Sequence, residues 1–207
     1  MQSTKITHDG PSTGLLVHWI GRLWMWLAGW KVVGKIPRGS KFVFVGAPHT
    51  SNWDLPFTLA AFYVLRLKIS WLGKDKIFKK PFGAIMKRLG GIPINRDSKH
   101  GVVDQITGQF KKAQQLVIVV PPSGTRKKRD YWKSGFYWIA YNAQIPILCG
   151  YLDYPRKEAG LGLSFIPTGN LKKDMDRIRE YYKDKRGKYP DMESTIRLRD
   201  EDIDQKT

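Results

Sequence analysis

The sequence predicts a single α/β domain with a largely parallel or mixed central sheet that helices flank. Strand-like and helix-like segments alternate from Lys41 onward, a pattern typical of sheets whose crossover connections are helices. The run LVIVV at 116–120 has the continuous β-branched character of a strand that is covered on both faces. A length of 207 residues fits one domain, and 42% hydrophobic with 26% charged residues excludes a disordered, collagen-like or coiled-coil chain.

The N-terminal region divides into a polar lead-in and a tryptophan-rich segment. Residues 1–14 are polar and lack the charged-then-apolar profile of a secretory signal. Residues 15–30 carry four tryptophans among aliphatic residues, interrupted by His18 and Arg22. As a helix they would span about 24 Å, which is shorter than the hydrocarbon core of about 30 Å. We therefore expect a helix that lies within a membrane interface, and packing on the protein's own core stays open as an alternative.

The body of the chain supplies the predicted sheet and its helices in order. Strands are expected at 41–47, 69–72, 91–95, 116–120, 145–151 and 161–166. Helices are expected at 55–67, 79–89, 100–114, 136–142 and 171–188. The last of these has aromatic and aliphatic residues at helical spacing, so its stripe is expected to face the core.

The charge balance points to an anionic partner. Lysine and arginine total 36 against 18 acidic residues, which gives a formal net charge of +18. Nucleic acid, an acidic lipid surface and a phosphorylated substrate would all be attracted by such a field. Charge alone therefore leaves three classes of partner open.

The cysteine and histidine content indicates a reducing setting and no metal. Cys149 is the single cysteine, which excludes an intrachain disulfide or a multi-cysteine zinc site. The four histidines are widely spaced and form no HExxH or His-x-His grouping. We therefore expect a cytoplasmic protein with no bound metal. Cys149 lies in an apolar strand, so buried packing outweighs nucleophilic use.

The segment PHTSNWD, residues 48–54, places an imidazole and a carboxylate five positions apart directly after a predicted strand. On a regular helix two such side chains would diverge by about 140°. His49 and Asp54 can meet only if His49 lies in the turn and Asp54 in the first turn of the next helix. Such a pair could act as a general base, because the carboxylate fixes the imidazole tautomer. A capping aspartate and a turn histidine without catalytic function are the open alternative.

Two further polar clusters also follow predicted strands. Arg96 ends the segment GGIPINR at 90–96, where its guanidinium could bind a phosphate through two parallel hydrogen bonds. The turn PPSGTR at 121–126 offers a glycine that lets backbone N–H groups approach an anion, two hydroxyls and Arg126. Arg96 could instead be an ion-pairing surface arginine, and the turn at 121–126 could be an ordinary loop; both alternatives remain open. Because three clusters each follow a strand, we expect them to converge on one edge of the sheet.

Taken together, these motifs resemble the glycerolipid acyltransferase family, of the lysophosphatidic acid acyltransferase type. The His-x-x-x-x-Asp block appears at 49–54, and a second block corresponds to 76–83 leading into 91–96. The Pro-Glu-Gly-Thr-Arg block appears as PSGTR at 122–126, and a Val-Pro-rich strand corresponds to 145–149. The order and spacing match over roughly residues 40 to 155, and the joint occurrence is far more specific than any single block.

The chain departs from the family pattern at two positions. Ser123 stands where the family normally has glutamate, and Cys149 stands where the fourth block usually has a second proline. The resemblance associates that glutamate with acceptor binding. The departure therefore leaves the acceptor open, with lyso-ornithine lipid or another lysolipid as alternatives to lysophosphatidic acid.

The resemblance implies acyl transfer without a covalent enzyme intermediate. His49 would be the general base and Asp54 its orienting partner. A fatty acyl thioester of coenzyme A or acyl carrier protein would be the co-substrate, with no cofactor. The residues implied to bind the acceptor are Arg96, Ser123, Gly124, Thr125 and Arg126.

The sequence and the resemblance together predict three parts of the chain and a set of partners. Residues 1–35 would be a flexible lead-in and membrane-interface helix, 36–190 the acyltransferase domain and 191–207 an acidic C-terminal tail. The expected partners are an anionic membrane surface at its cytoplasmic face, a lysophospholipid and the acyl carrier. A basic nucleic-acid-binding module is the alternative from another class, but no helix-turn-helix, zinc-finger or RNP-type signature accompanies the charge, so we expect no nucleic acid.

Overall fold

The computed structural model describes residues 6–79, 81, 83–88, 90–94 and 101–202. Within these residues, seven strands form one sheet in the order β1-β7-β6-β2-β5-β3-β4. The strands are β1 (Lys31–Val33), β2 (Lys41–Gly46), β3 (Ser70–Lys74), β4 (Gly91–Ile94), β5 (Leu116–Val120), β6 (Ile147–Asp153) and β7 (Glu158–Phe165). The α-helices are α1 (Leu15–Leu27), α2 (Asp54–Val64), α3 (Gly83–Arg88), α4 (Val102–Lys112), α5 (Gly135–Ala143) and α6 (Leu171–Tyr182). Short 3₁₀ helices lie at Asp75–Phe78, Pro190–Met192 and Arg199–Asp202.

The sheet is mixed, and the predicted α/β class is confirmed. The neighbouring pairs are parallel except for β6 and β7, which form an antiparallel hairpin. The turn at 154–157 joins them too closely for the crossover that a parallel pair requires. The central strands β5, β2 and β6 run in the same direction, so their carboxyl ends meet at one edge.

Alternating side chains of β2 explain why it lies at the centre. Val43 and Val45 pack on one face with residues of α5 and α6, including Phe136. Phe42 and Phe44 point to the other face, where they join a cluster that contains Phe62 of α2. Both faces are therefore covered, as the apolar run of a parallel strand requires.

Two secondary-structure predictions need correction, and one strand was not predicted. The helix expected at 79–89 is reduced to the short helix α3, which begins only at Gly83, because a proline such as Pro81 disfavours the helical conformation of the residue before it. The helix expected at 171–188 ends at Tyr182, after which the carbonyl of Arg186 accepts a hydrogen bond from the Tyr154 N–H at 3.0 Å. Strand β1 was not predicted, because three residues are too few for a periodic signal.

Helix α1 packs against α2 through one face and leaves the other exposed. His18, Gly21 and Met25 are buried at intervals of three and four residues. The opposite face carries large exposed side chains: Leu16, Trp19, Ile20, Leu23, Trp26 and Leu27. No helix in the described ranges has the length and apolar character needed to cross a membrane.

The chain beyond α6 folds back over the carboxyl edge of the sheet. The Tyr189 N–H donates to the Thr50 hydroxyl at 3.2 Å, and Leu198 is fully buried. Glu201 accepts a hydrogen bond from Arg179 of α6 at 2.8 Å. The segment 183–201 is thereby placed beside the turn that follows β2.

Gly21 is expected to be required for the close approach of α1 and α2. A Cβ atom at this position would lie 2.7 Å from the Ala60 carbonyl oxygen and 2.7 Å from the Tyr63 Cβ atom. Gly21→Ala should therefore lower the free energy of unfolding by about 1 to 3 kcal/mol, measured by urea denaturation, although alanine is the better helix former. Gly108→Ala in α4 is the matched control, because a Cβ there meets no atom within 4 Å. That control should gain about 0.5 to 1 kcal/mol, and equal gains in both variants would contradict the prediction.

Candidate active site

The candidate active site lies at the carboxyl edge of the sheet, where β2 leads through a short turn into α2. His49 lies in this turn, and Asp54 is the first residue of the helix. The turn 121–126 follows the neighbouring strand β5, so two of the three predicted clusters converge as expected. Arg96, from the third cluster, lies outside the described residues.

His49 and Asp54 are in direct contact. The His49 Nδ1 atom lies 2.9 Å from Asp54 Oδ2. An ionised carboxylate only accepts hydrogen bonds, so in the neutral imidazole of His49 the proton is assigned to Nδ1 and the lone pair to Nε2. The side chain of His49 is 24% exposed, whereas that of Asp54 is 7% exposed. The imidazole can therefore meet a substrate while its partner stays buried.

The carboxylate of Asp54 is fixed by donors from three directions. The N–H groups of Thr50 and Ser51 donate to Oδ2 at 2.9 and 3.0 Å. The hydroxyl of Tyr154, which follows β6, donates to Oδ1 at 2.8 Å. Burial acts to raise the pKa of Asp54, but the hydrogen bonds from His49, Ser51 and Tyr154 outweigh it and hold that pKa below its ordinary value. The carboxylate is therefore ionised at neutral pH.

The turn after β5 holds its shape through its own hydroxyls. Ser123 donates to the carbonyl of Thr125 at 2.7 Å, and the Thr125 hydroxyl accepts from the Lys127 N–H at 3.3 Å. Gly124 has φ +65°, a conformation that favours glycine, and a Cβ there would lie 3.0 Å from Lys133 Cε. The turn therefore presents a backbone packed against a lysine, with Arg126 exposed beside it.

His49 borders two cavities of different size. The larger has a volume of about 1250 Å³ and extends across apolar side chains of α2 and the sheet, including Leu59, Phe44 and Val119. Arg126 and Lys133 also line it. The smaller has a volume of about 40 Å³ and is lined partly by polar residues: His49, Ser123, Lys185, Glu193 and Ser194.

Several residues at the site were not predicted from the sequence. Tyr154, Lys133, Lys185 and Glu193 lie far from the His49 motif in sequence and belong to no motif of their own. The order β5-β2-β6 brings Tyr154 to the dyad, and the return of the chain after α6 brings Lys185 and Glu193. A single sequence carries no signal for the strand order or for the return of the chain after α6.

Neither a metal cluster nor a nucleophilic cysteine is found in the described part of the chain. Its histidine, cysteine and acidic residues form no group of three or more that could hold a metal ion. Cys149 is fully buried in β6, and burial raises the pKa of its thiol to about 12. The thiol therefore stays protonated.

Comparison with known proteins identifies the family to which the chain belongs. Residues 30–152 match the model of the family described as Acyltransferase, a segment that contains the His49–Asp54 turn, β5 and the turn after it. The chain therefore belongs to the Acyltransferase family. It is an acyltransferase, so the expected enzyme class is confirmed at the level of the family.

A solved structure has the same fold. The 1-acyl-sn-glycerophosphate (LPA) acyltransferase PlsC from Thermotoga maritima aligns with a TM-score of 0.54 and 18% sequence identity, over 84% of this chain and 81% of that one. A search of curated proteins gave no match.

Asp54→Asn should lower the free energy of unfolding at neutral pH, and this difference from the parent should disappear in acid. Because the pKa of Asp54 is lowered on folding, its stabilising contribution is complete above its ordinary value of 3.8 and disappears as the pH falls through the lower folded value. We expect a loss of about 1 to 3 kcal/mol at neutral pH, from urea unfolding, that shrinks towards pH ~3. A difference between parent and variant that stays constant with pH would contradict this.

Proposed function

We propose that the protein transfers a fatty acyl group from an acyl thioester of coenzyme A or acyl carrier protein to the hydroxyl of a lysophospholipid. The observation that carries the proposal is the His49–Asp54 pair, which opens onto a large apolar cavity. The first acceptor we propose is 1-acyl-glycerol-3-phosphate. Because a lysolipid lies in a membrane, we also propose that the enzyme works at a membrane surface, and we place it at the cytoplasmic face.

The dyad supplies the proton transfers that the reaction needs. Asp54 holds the Nδ1–H of His49, so Nε2 accepts the proton of the acceptor hydroxyl as its oxygen attacks the thioester carbonyl. A new C–O bond forms while the C–S bond breaks, and the thiol leaves with the proton held by the imidazolium. No acyl group is attached to the protein. A positioned base contributes roughly 10² to 10⁴ in rate.

The large cavity fits the acyl chain. Its lining is mainly apolar, and it reaches from His49 between α2 and the sheet past Leu59, Phe62 and Leu161. Each CH₂ group removed from water contributes about 0.8 kcal/mol, so a long chain would bind strongly there. A chain anchored in this way would hold its thioester carbonyl beside His49.

The cations at the cavity support a phosphate-bearing acceptor. Arg126 and Lys133 both line it beside His49, and charge-assisted hydrogen bonds from such groups contribute about 1.5 to 3 kcal/mol each. The Thermotoga maritima protein with the same fold is described as an LPA acyltransferase, which supports the same acceptor for this chain. Ser123 in place of the family's usual glutamate keeps lyso-ornithine lipid as the alternative acceptor.

The exposed face of α1 supports attachment to a membrane. Trp26 is 74% exposed and Leu16 75%, and apolar surface of this kind is stabilised when it enters a lipid interface. Trp53 and Leu55, beside Asp54, are also exposed large apolar residues. The net charge of +18 would add attraction to an anionic leaflet and to an acidic acyl carrier.

His49→Ala tests the proposed base. With labelled acyl-CoA and 1-acyl-glycerol-3-phosphate, its rate of acyl transfer should fall by roughly 10² to 10⁴-fold. His8→Ala is the matched control, because His8 lies near the start of β2, whereas His49 follows the end of that strand. His8 contacts Gly10, and Gly10 approaches Gly39, which precedes β2. If His49→Ala kept the rate of the control on the best of a panel of lysolipids, the base assignment would be wrong.

Trp26→Glu and Leu16→Glu test the proposed membrane face. Both should reduce co-flotation with vesicles that contain anionic phospholipid, because each places a carboxylate where lipid would lie. Ile166→Glu is the matched control, since it makes the same charge change at an exposed apolar residue that follows β7. Equal flotation of all three variants with the parent would argue against an interfacial role for α1.

A further inference from the structure

Tyr154 is a third partner of the His49–Asp54 pair that no sequence motif marks. It follows directly after β6 and lies two residues beyond the segment that matches the family. We propose that Tyr154 is a positioning residue for acyl transfer, which holds the carboxylate of Asp54 in the orientation that keeps His49 in its base form. The proposal deepens the function proposed above and rests on it.

The hydrogen bond from Tyr154 completes the fixation of the carboxylate. Oδ2 of Asp54 already accepts hydrogen bonds from His49 Nδ1 and from two backbone N–H groups. Oδ1 accepts one from the Tyr154 hydroxyl at 2.8 Å. Within the described residues, this hydroxyl is the hydrogen-bond partner of Oδ1. Without it, a buried carboxylate oxygen would lack a donor, and more of the negative charge of the carboxylate would lie on Oδ2, beside His49.

Packing of the aromatic ring positions the Tyr154 hydroxyl. The ring of Tyr154 meets Trp30 edge-on at 4.9 Å and Phe57 at 6.2 Å, while Trp30 and Phe57 stack at 4.3 Å. The backbone N–H of Tyr154 is also held, by the carbonyl of Arg186 at 3.0 Å. The side chain is therefore fixed by contacts separate from the hydrogen bond that it donates.

Tyr154 remains a donor at every pH at which the enzyme would work. Burial, then the hydrogen bond and charge of Asp54, raise the pKa of Tyr154 well above its ordinary value. A donor on Oδ1 withdraws negative charge from the carboxylate and so weakens its pull on a protonated imidazole. Tyr154 is thus placed to orient the carboxylate and to limit how strongly His49 holds a proton.

Other charged groups face this cluster and stay in place in a Tyr154 variant. The Lys188 ammonium lies 6.0 Å from the Tyr154 ring centroid, and the Tyr189 side chain also lies near Tyr154. Lys185 and Glu193 line the small cavity beside His49. Arg126, Lys133, Arg199 and Asp200 line the large cavity together with His49 and Asp54. Because parent and variant share these groups, a difference between their pH profiles reports the Tyr154 hydroxyl.

Tyr154→Phe removes the hydroxyl and keeps the ring. We expect kcat for acyl transfer to fall by roughly 10- to 100-fold, with KM for both substrates unchanged and with the acidic limb of the pH–rate profile moved to higher pH. Tyr189→Phe is the matched control, since Tyr189 belongs to the same aromatic group around Lys188, while the hydrogen bonds to the Asp54 carboxylate within the described residues come from other groups. Its kcat and pH profile should equal those of the parent.

A titration of His49 by NMR tests the proposal without substrate. The His49 resonance, assigned by its absence in His49→Ala, should titrate at higher pH in Tyr154→Phe and at lower pH when 3-fluorotyrosine, a stronger donor, replaces Tyr154. The fluorinated protein retains the packing, so it serves where Tyr154→Phe does not fold. Unchanged titration in these proteins, together with parental kcat in Tyr154→Phe, would overturn the proposal.

The outcomes separate this proposal from the proposed function. Should the parent transfer no acyl group to any lysolipid while the His49 titration still shifts, the proposed function fails and the positioning by Tyr154 stands. In an Asp54→Asn background, Tyr154→Phe should cause no further loss of kcat, because the hydroxyl acts through the carboxylate. Additive losses would show that Tyr154 acts elsewhere.

Discussion

The buried carboxylate of Asp54 is the constraint on which the rest of the site depends. A carboxylate at 7% side-chain exposure is tolerated only when donors satisfy it, and here they come from His49, from two backbone N–H groups of the turn and from Tyr154. These donors belong to the connection after β2 and to the residue after β6. One side chain therefore ties two adjacent strands to the first residue of α2.

The order of the strands explains why the site forms where it does. Strand β2 pairs in parallel with β5 on one side and β6 on the other, so the three strands end at the same edge. The connection after β2 supplies the dyad, the turn after β5 supplies Ser123 to Arg126, and Tyr154 follows β6. Parallel pairing thus assembles residues that are separated by up to about a hundred positions in the chain.

Much of the central architecture could be predicted from the sequence, because its signals are local. The run LVIVV, the strand before PHTSNWD and the spacing of His49 and Asp54 each describe a short segment, and the structure contains the two strands and the contact. The antiparallel direction of β7, the short strand β1 and the early end of α6 depend on pairing with distant residues. Tyr154 was missed for the same reason, since its partner is fixed by sheet order and has no spacing that a motif could encode.

The packing of α1 on α2 connects the exposed apolar face of α1 with the position of His49. Gly21 lets α1 approach α2, and α2 begins with Asp54, so the helix that would enter the lipid interface is packed on the helix that carries the carboxylate. Trp30, which follows α1, stacks on Phe57 and meets the ring of Tyr154. If α1 lies in a membrane interface as proposed, this packing would fix the distance of the dyad from the lipid. A lysolipid could then reach His49 with its acyl chain still largely surrounded by hydrocarbon, which avoids the free energy of exposing that chain to water.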